Sequence, residues 1–216
     1  MNLLVFLGSV RESEPPHPAR LGLRVARACR SHLTGIGHAA AIIDPLDVEL
    51  PRVFKPHFSY RAGDAPLDQQ ALAERIARAD GFVMVSPEYN HSMSPALMTL
   101  LNHFGSSLFS YKPSAIVTYS AGQWGGARAA VGMRTFLSEL GCLPVSAMIH
   151  IPHAQEVFDA EGGYRETADA GAWEKYMGRT FAQLAWWAEA AQAQRNADED
   201  RPPAPFKVSP LERDAP

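Results

Sequence analysis

The feature that most limits the fold is the kind of apolar run this chain contains. "GFVMV" (81–85) and "AIVTY" (115–119) lack the polar alternation of a half-exposed strand, so strands made from them need cover on both faces. Between such runs the apolar spacing changes. Leu21, Val25, Ala28 and Cys29 fall on one helical stripe within 20–33, and Leu72 and Ile76 stand four apart within 67–79. The pattern predicts strands at 3–7, 39–43, 82–85, 115–119 and 145–151. Helices are predicted at 20–33, 67–79, 95–104, 126–140 and 173–193. Strands separated by helices in this way form a five-stranded parallel sheet with helices on both faces, an α/β doubly wound architecture. Residues 44–65 hold prolines and aromatics without a period and read as a long ordered loop. With no repeat or linker, 1–195 reads as a single domain, and the proline- and charge-rich 196–216 as a disordered tail.

Composition mainly excludes. A chain of 216 residues, 46% apolar and 20% charged, can build one good core. A net charge of −3 gives no broad attraction to nucleic acid or to an anionic membrane, so neither is an expected partner. Cys29 and Cys142 stand far apart and outside any CxxC pattern, which disfavours zinc, iron–sulfur and disulfide roles. The opening "MNLLVFLGSVR" carries no basic leader, and its apolar run is too short to span a bilayer. A cytoplasmic location is the expectation.

In a doubly wound sheet the ligand site lies beyond the carboxyl ends of the strands, which directs attention to three loops. After the first strand, "GSVRESEPPHPAR" leads into a helix. Ser9, Arg11 and the amides near Arg20, Leu21 and Gly22 could cradle a phosphate, because a helix start offers free N–H donors and an arginine a bidentate fork. The plain alternative is a connecting loop with an exposed arginine. The segment fits neither a Walker A loop nor GxGxxG.

After the third strand, "SPEYNHSMSP" presents Pro87, Glu88, Tyr89, Asn90 and His91, with Pro87 expected to end the strand. Ser94-Pro95 then reads as an N-cap and first helical residue. A flat heteroaromatic ring with polar edges needs such a mixture, although a solvated capped turn would look the same. After the fourth strand, "YSAGQWGGARAA" carries Ser120, Ala121, Gly122, Gln123, Trp124, Gly125 and Gly126. Its glycines would let backbone approach a planar ligand, with Gln123 and Trp124 at the rim. A phosphate at the first loop and a ring between the other two describes flavin mononucleotide (FMN).

The segments GSVR, SPEYNHSMSP and YSAGQWGGARAA resemble the NADPH-dependent FMN reductase family over residues 3–151. The resemblance implies a flavodoxin-like sheet of order 2-1-3-4-5. It implies FMN phosphate at Ser9, Arg11 and the start of the first helix, and ring and ribityl contacts from Pro87, Glu88, Tyr89, Asn90 and residues 120–126. NADPH or NADH would donate hydride, a small molecule such as a quinone, azo compound, metal oxyanion or free flavin would accept it, and the protein would be a homodimer or homotetramer. No catalytic side chain is expected, because the chemistry would occur at flavin N5. The first loop departs from the common pattern in its length, its prolines, and Glu12 and Glu14, which must point away from a phosphate. Ala96 stands where glycine is usual, and Asn102-His103-Phe104 where Asp-Trp is frequent. A non-catalytic FMN electron carrier or redox sensor of the same fold is the alternative. Trp186 and Trp187, adjacent on the last helix, cannot share one face, so one is expected inside and the other at a subunit contact.

Overall fold

The computed structural model describes residues 1–11 and 20–197. Strands β1 (Asn2–Leu7), β2 (Ala39–Ile43), β3 (Gly81–Tyr89), β5 (Pro113–Tyr119) and the pair β6 (Leu143–Pro144) and β7 (Ile149–Ile151) form the body of one sheet. The path through it is β2-β1-β3-β5-β6, with β7 also against β5. Counting the broken last strand as one, this is the flavodoxin-like order 2-1-3-4-5, and all of these pairings are parallel.

Alternation along each strand sends side chains to two cores. Leu3, Val5 and Leu7 of β1 face helices α1 (Leu21–Gly35) and α7 (Ala170–Ala197), joining Val25, Cys29, Phe181 and Leu184. Leu4 and Phe6 face the other way. There they meet α2 (Leu67–Arg78), α3 (Pro95–Asn102), the short α4 (Ser106–Phe109) and α5 (Ala127–Glu139). Both layers are needed because every residue of β5 is buried. A four-residue α6 (Ala154–Val157) follows β7.

The structure departs from the sequence reading in several places. Pro87 does not end β3; the strand continues to Tyr89 and turns back into a two-residue strand, β4 (Ser92–Met93). Pairing with β1 stops at Leu7 and Val85, so beyond that point β3 is an edge on that side, where proline is tolerated. Asn90 and His91 form the turn at φ +50° and +63°, the left-handed pair that suits a tight hairpin. The expected strand at 145–151 is regular only in β7. Between β6 and β7, Arg134 donates to the carbonyls of Val145 and Ser146, and Gln183 accepts from the Ala147 amide at 3.0 Å. The Val145 amide still reaches the Ser114 carbonyl at 2.9 Å, and beyond it these side chains take the place of ladder bonds.

The loop at 44–65 contains two 3-10 turns, Pro45–Asp47 and His57–Ser59. The last helix runs longer than expected, to Ala197; the rest of the tail expectation, like Glu12 and Glu14, lies outside the described residues. Trp186 and Trp187 are both exposed, and pack edge to face with ring centres 4.6 Å apart. Neither turns inward. Among the described residues no helix is long and apolar enough to cross a membrane.

Candidate functional site

The strand order brings the ends of β1, β3 and β5 side by side, so the three loops share one rim. At the end of β1, the Gly8 amide donates to the Val85 carbonyl at 2.7 Å, tying the first loop to β3. Ser9 is buried and Arg11 exposed, and the Arg11 amide reaches the Ser9 hydroxyl at 3.5 Å.

Helix α1 then begins at Leu21, pressed close to the sheet. A Cβ on Gly22 would lie 2.3 Å from the Tyr119 hydroxyl and 2.9 Å from the Ser9 Cβ, so only glycine fits. Intrahelical bonding starts with the Leu23 and Arg24 amides to the Arg20 carbonyl. The Leu21 and Gly22 amides therefore belong to the unpaired donors of a helix start. Among the described residues no acidic side chain occupies this first turn and no side chain caps it.

Arg20 does something other than offer its charge to this cradle. It is 5% exposed, donates to the Ser9 carbonyl at 3.0 Å and pairs with Asp44, which follows β2. The pair staples the first loop to the second strand and cancels the arginine's charge locally. Asp44 also accepts from the Leu46 amide at 3.0 Å. Sequence reasoning missed it; an aspartate before a proline at a strand end signals a cap but not an arginine partner 24 residues away.

In the second loop Glu88 is turned inward. Its side chain is 9% exposed and accepts from the Arg128 amide at 3.1 Å, the Arg128 Nε at 2.8 Å and the Ala129 amide at 3.3 Å. The N-cap of α5 is Gly126, which has no side chain to cap with, so Glu88 caps the helix from the neighbouring strand. Burial pushes its carboxyl up, but the Ala129 amide and the Arg128 guanidinium outweigh this and hold it below the usual value. Tyr89, Asn90 and His91 remain exposed on the hairpin. Pro87 is buried, in register with Tyr119. Ser94 caps α3 as read, accepting from the Leu97 amide at 3.1 Å.

The third loop is tied to itself and to the segment after β7. The Ser120 hydroxyl donates to the Gly122 carbonyl at 2.7 Å and accepts from the Gly125 amide at 2.9 Å. The His153 amide donates to Gly122 and the Ala154 amide to Ser120, both at 3.0 Å. The Gln155 side chain donates to the Ala121 carbonyl at 3.1 Å. Gly125 and Gly126, at φ +58° and +77°, face Ile151–Pro152 backbone and Thr118. Their lack of Cβ serves the chain's own packing; of the three glycines only Gly122 faces open space. Gln123 and Trp124 are exposed, and the Arg128 guanidinium sits 5.5 Å from the Trp124 ring centre.

The rim thus offers buried hydroxyls and helix-start amides at one end, and aromatic faces with an open backbone at the other. A nucleophilic thiol is no part of it. Cys29 and Cys142 are buried, and burial pushes both thiols up, away from the reactive thiolate.

A family model described as NADPH-dependent FMN reductase matches residues 1–156. The chain is similar to an NAD(P)H-dependent FMN reductase from Pseudomonas aeruginosa, 38% identical over 107 residues, which are 48% of this chain and 57% of that protein. It is also similar to a 2-hydroxy-1,4-benzoquinone reductase from a Burkholderia species, 34% identical over 104 residues, 46% of this chain and 57% of that one. The matches span little more than half the length of these curated relatives. Among solved structures, FerB, a flavoenzyme NAD(P)H:(acceptor) oxidoreductase from Paracoccus denitrificans, superposes with a TM-score of 0.67 at 21% identity. It covers 87% of this chain and 97% of its own, and at that identity the likeness speaks for the fold. The family match runs from β1 into α6 and so takes in all three loops of the rim, and by it the chain belongs to the NADPH-dependent FMN reductase family.

Proposed function

We propose that the protein is an NAD(P)H-dependent FMN oxidoreductase that passes hydride from a nicotinamide through bound FMN to a small acceptor. A quinone, an azo compound, a metal oxyanion or a free flavin would serve as acceptor, and the benzoquinone reductase among its relatives favours the first. The observation that carries the reading is the meeting of three loops on one rim, donors at one end and aromatic faces at the other.

The residues present fit the cofactor. Ser9 and the amides of Leu21 and Gly22 would hold the phosphate, with exposed Arg11 adding charge from outside. Pro87, Tyr89, Asn90 and the open backbone at Gly122 would flank the ring, and Trp124 would border its mouth. Glu88, Arg20, Ser120, Gly125 and Gly126 would act one step back by fixing the loops. Bound FMN supplies hydride acceptance and donation at N5. The protein's part is to hold the ring with one face accessible and to place amide donors where charge accumulates on reduction. Donor and acceptor would use the same mouth in turn, so ping-pong kinetics are expected. The exposed Trp186 and Trp187 support a homodimer or homotetramer.

A purified protein that is yellow, or turns yellow and retains the dye after incubation with FMN, and is bleached anaerobically by NADPH or NADH would support the proposal. Folded protein that binds no FMN would overturn it. Bound FMN that neither nucleotide bleaches would point to an electron carrier.

A further inference from the structure

We infer that the Tyr119 hydroxyl is a further contact for the phosphate group, reaching the cradle from the end of β5 beneath the first turn of α1. The inference rests on the FMN reading above and adds a residue from a strand end that supplies no other expected phosphate contact.

The placement comes from three observations. Tyr119 is the last residue of β5 and lies in the core layer that α1 covers, 5% exposed. Its hydroxyl occupies the space a Cβ on Gly22 would need, 2.3 Å from that position, and so stands level with the unpaired amides of the helix start. The Ser9 side chain flanks the same position, its Cβ 2.9 Å away. The phenol carries one proton to donate. An anion seated at the helix start is the acceptor the geometry offers for it. Burial pushes the phenol well above its ordinary value, so it stays a donor throughout the neutral range.

The surrounding charges strengthen the case. Arg20 is matched by Asp44, and Arg11 is exposed. The cradle floor therefore holds an anion through amides and hydroxyls, and the loss of one hydroxyl is felt there.

The test compares FMN with riboflavin, which lacks the phosphate, by fluorescence titration of the apoprotein. Tyr119→Phe removes one oxygen and keeps the ring against Gly22. It should raise the FMN dissociation constant roughly 10- to 100-fold, as loss of a hydrogen bond to a charged group does, and leave that for riboflavin unchanged. Tyr119→Met, also without a hydroxyl, should behave alike and serves if the first variant folds poorly. Equal weakening for both ligands would assign the phenol a packing role and overturn the inference, as would unchanged FMN affinity. A wild type that binds neither flavin would overturn the FMN reading itself, which separates the two failures.

Discussion

A carboxylate ringed by three N–H donors has little left for a ligand. Glu88 accepts from two amides at the start of α5 and from the Arg128 Nε, so its charge is spent on the helix. This role has a pH signature. Because the folded carboxyl titrates below its ordinary value, its contribution to stability is fully present above the unfolded value and is lost as pH falls through the folded one. Glu88→Gln keeps the size and removes the charge. At neutral pH it should cost about 1 kcal/mol, the usual worth of an N-terminal cap and its dipole interaction. Urea unfolding checks this: the gap between wild type and variant should narrow as pH falls from the ordinary carboxyl value through the lowered folded one, below which both side chains are neutral. A gap that stays constant into acid would mean that the cap works through shape alone.

At the scale of elements, what is local was legible and what is borrowed was not. The stripe of Val25, Ala28 and Cys29 becomes the buried face of α1, because helical spacing is a property of one segment. "AIVTY" becomes a strand buried on both faces for the same reason. The break between β6 and β7 was illegible, because it depends on Arg134 from α5 and Gln183 from α7 taking over the ladder's bonds. Gly22 gives a prediction at this scale. Alanine in place of glycine ordinarily favours a helix by about 1 kcal/mol. In α1 the added methyl would meet the Tyr119 hydroxyl, Leu7 Cδ1 and Ser9 Cβ at under 3.0 Å, which is overpacking. Gly22→Ala should therefore destabilise by about 1–3 kcal/mol, opposite in sign to its helix propensity. A raised thermal midpoint would show that α1 can retreat from the sheet without penalty.

For the molecule as a whole, the place of the site followed from strand order, but its inner partners did not. Ser9, Tyr89 and Gly122 could be assigned to one rim because strand ends are readable. Asp44, Arg128 and Tyr119 were missed because each acts through a partner distant in sequence. The opposite edge of the sheet is closed by contacts equally distant. Asp80, just before β3, accepts from the Asn2 amide at 2.8 Å, Gln192 Nε2 at 3.0 Å and the Arg195 guanidinium at 3.1 Å. Arg195 also donates to the Tyr111 carbonyl at 2.9 Å. One carboxylate thus joins the first strand, the last helix and the approach to β5. Lys112 seals the same edge by donating to the carbonyls of Ile76, Ala77 and Leu108 at 2.7–3.0 Å. Asp80→Ala takes the acceptor from three donors at once and should cost about 2–3 kcal/mol in urea unfolding. Because the strands run parallel, this knot lies at their amino ends and the rim at their carboxyl ends, so FMN affinity in the folded variant should match wild type. Hydrogen exchange should quicken at Asn2 and along the last turns of α7, where amides rely on the knot. If exchange quickens equally at Gly8 and Gly125 and FMN binding weakens with it, the two edges are coupled through the sheet, and the independence argued from the topology fails.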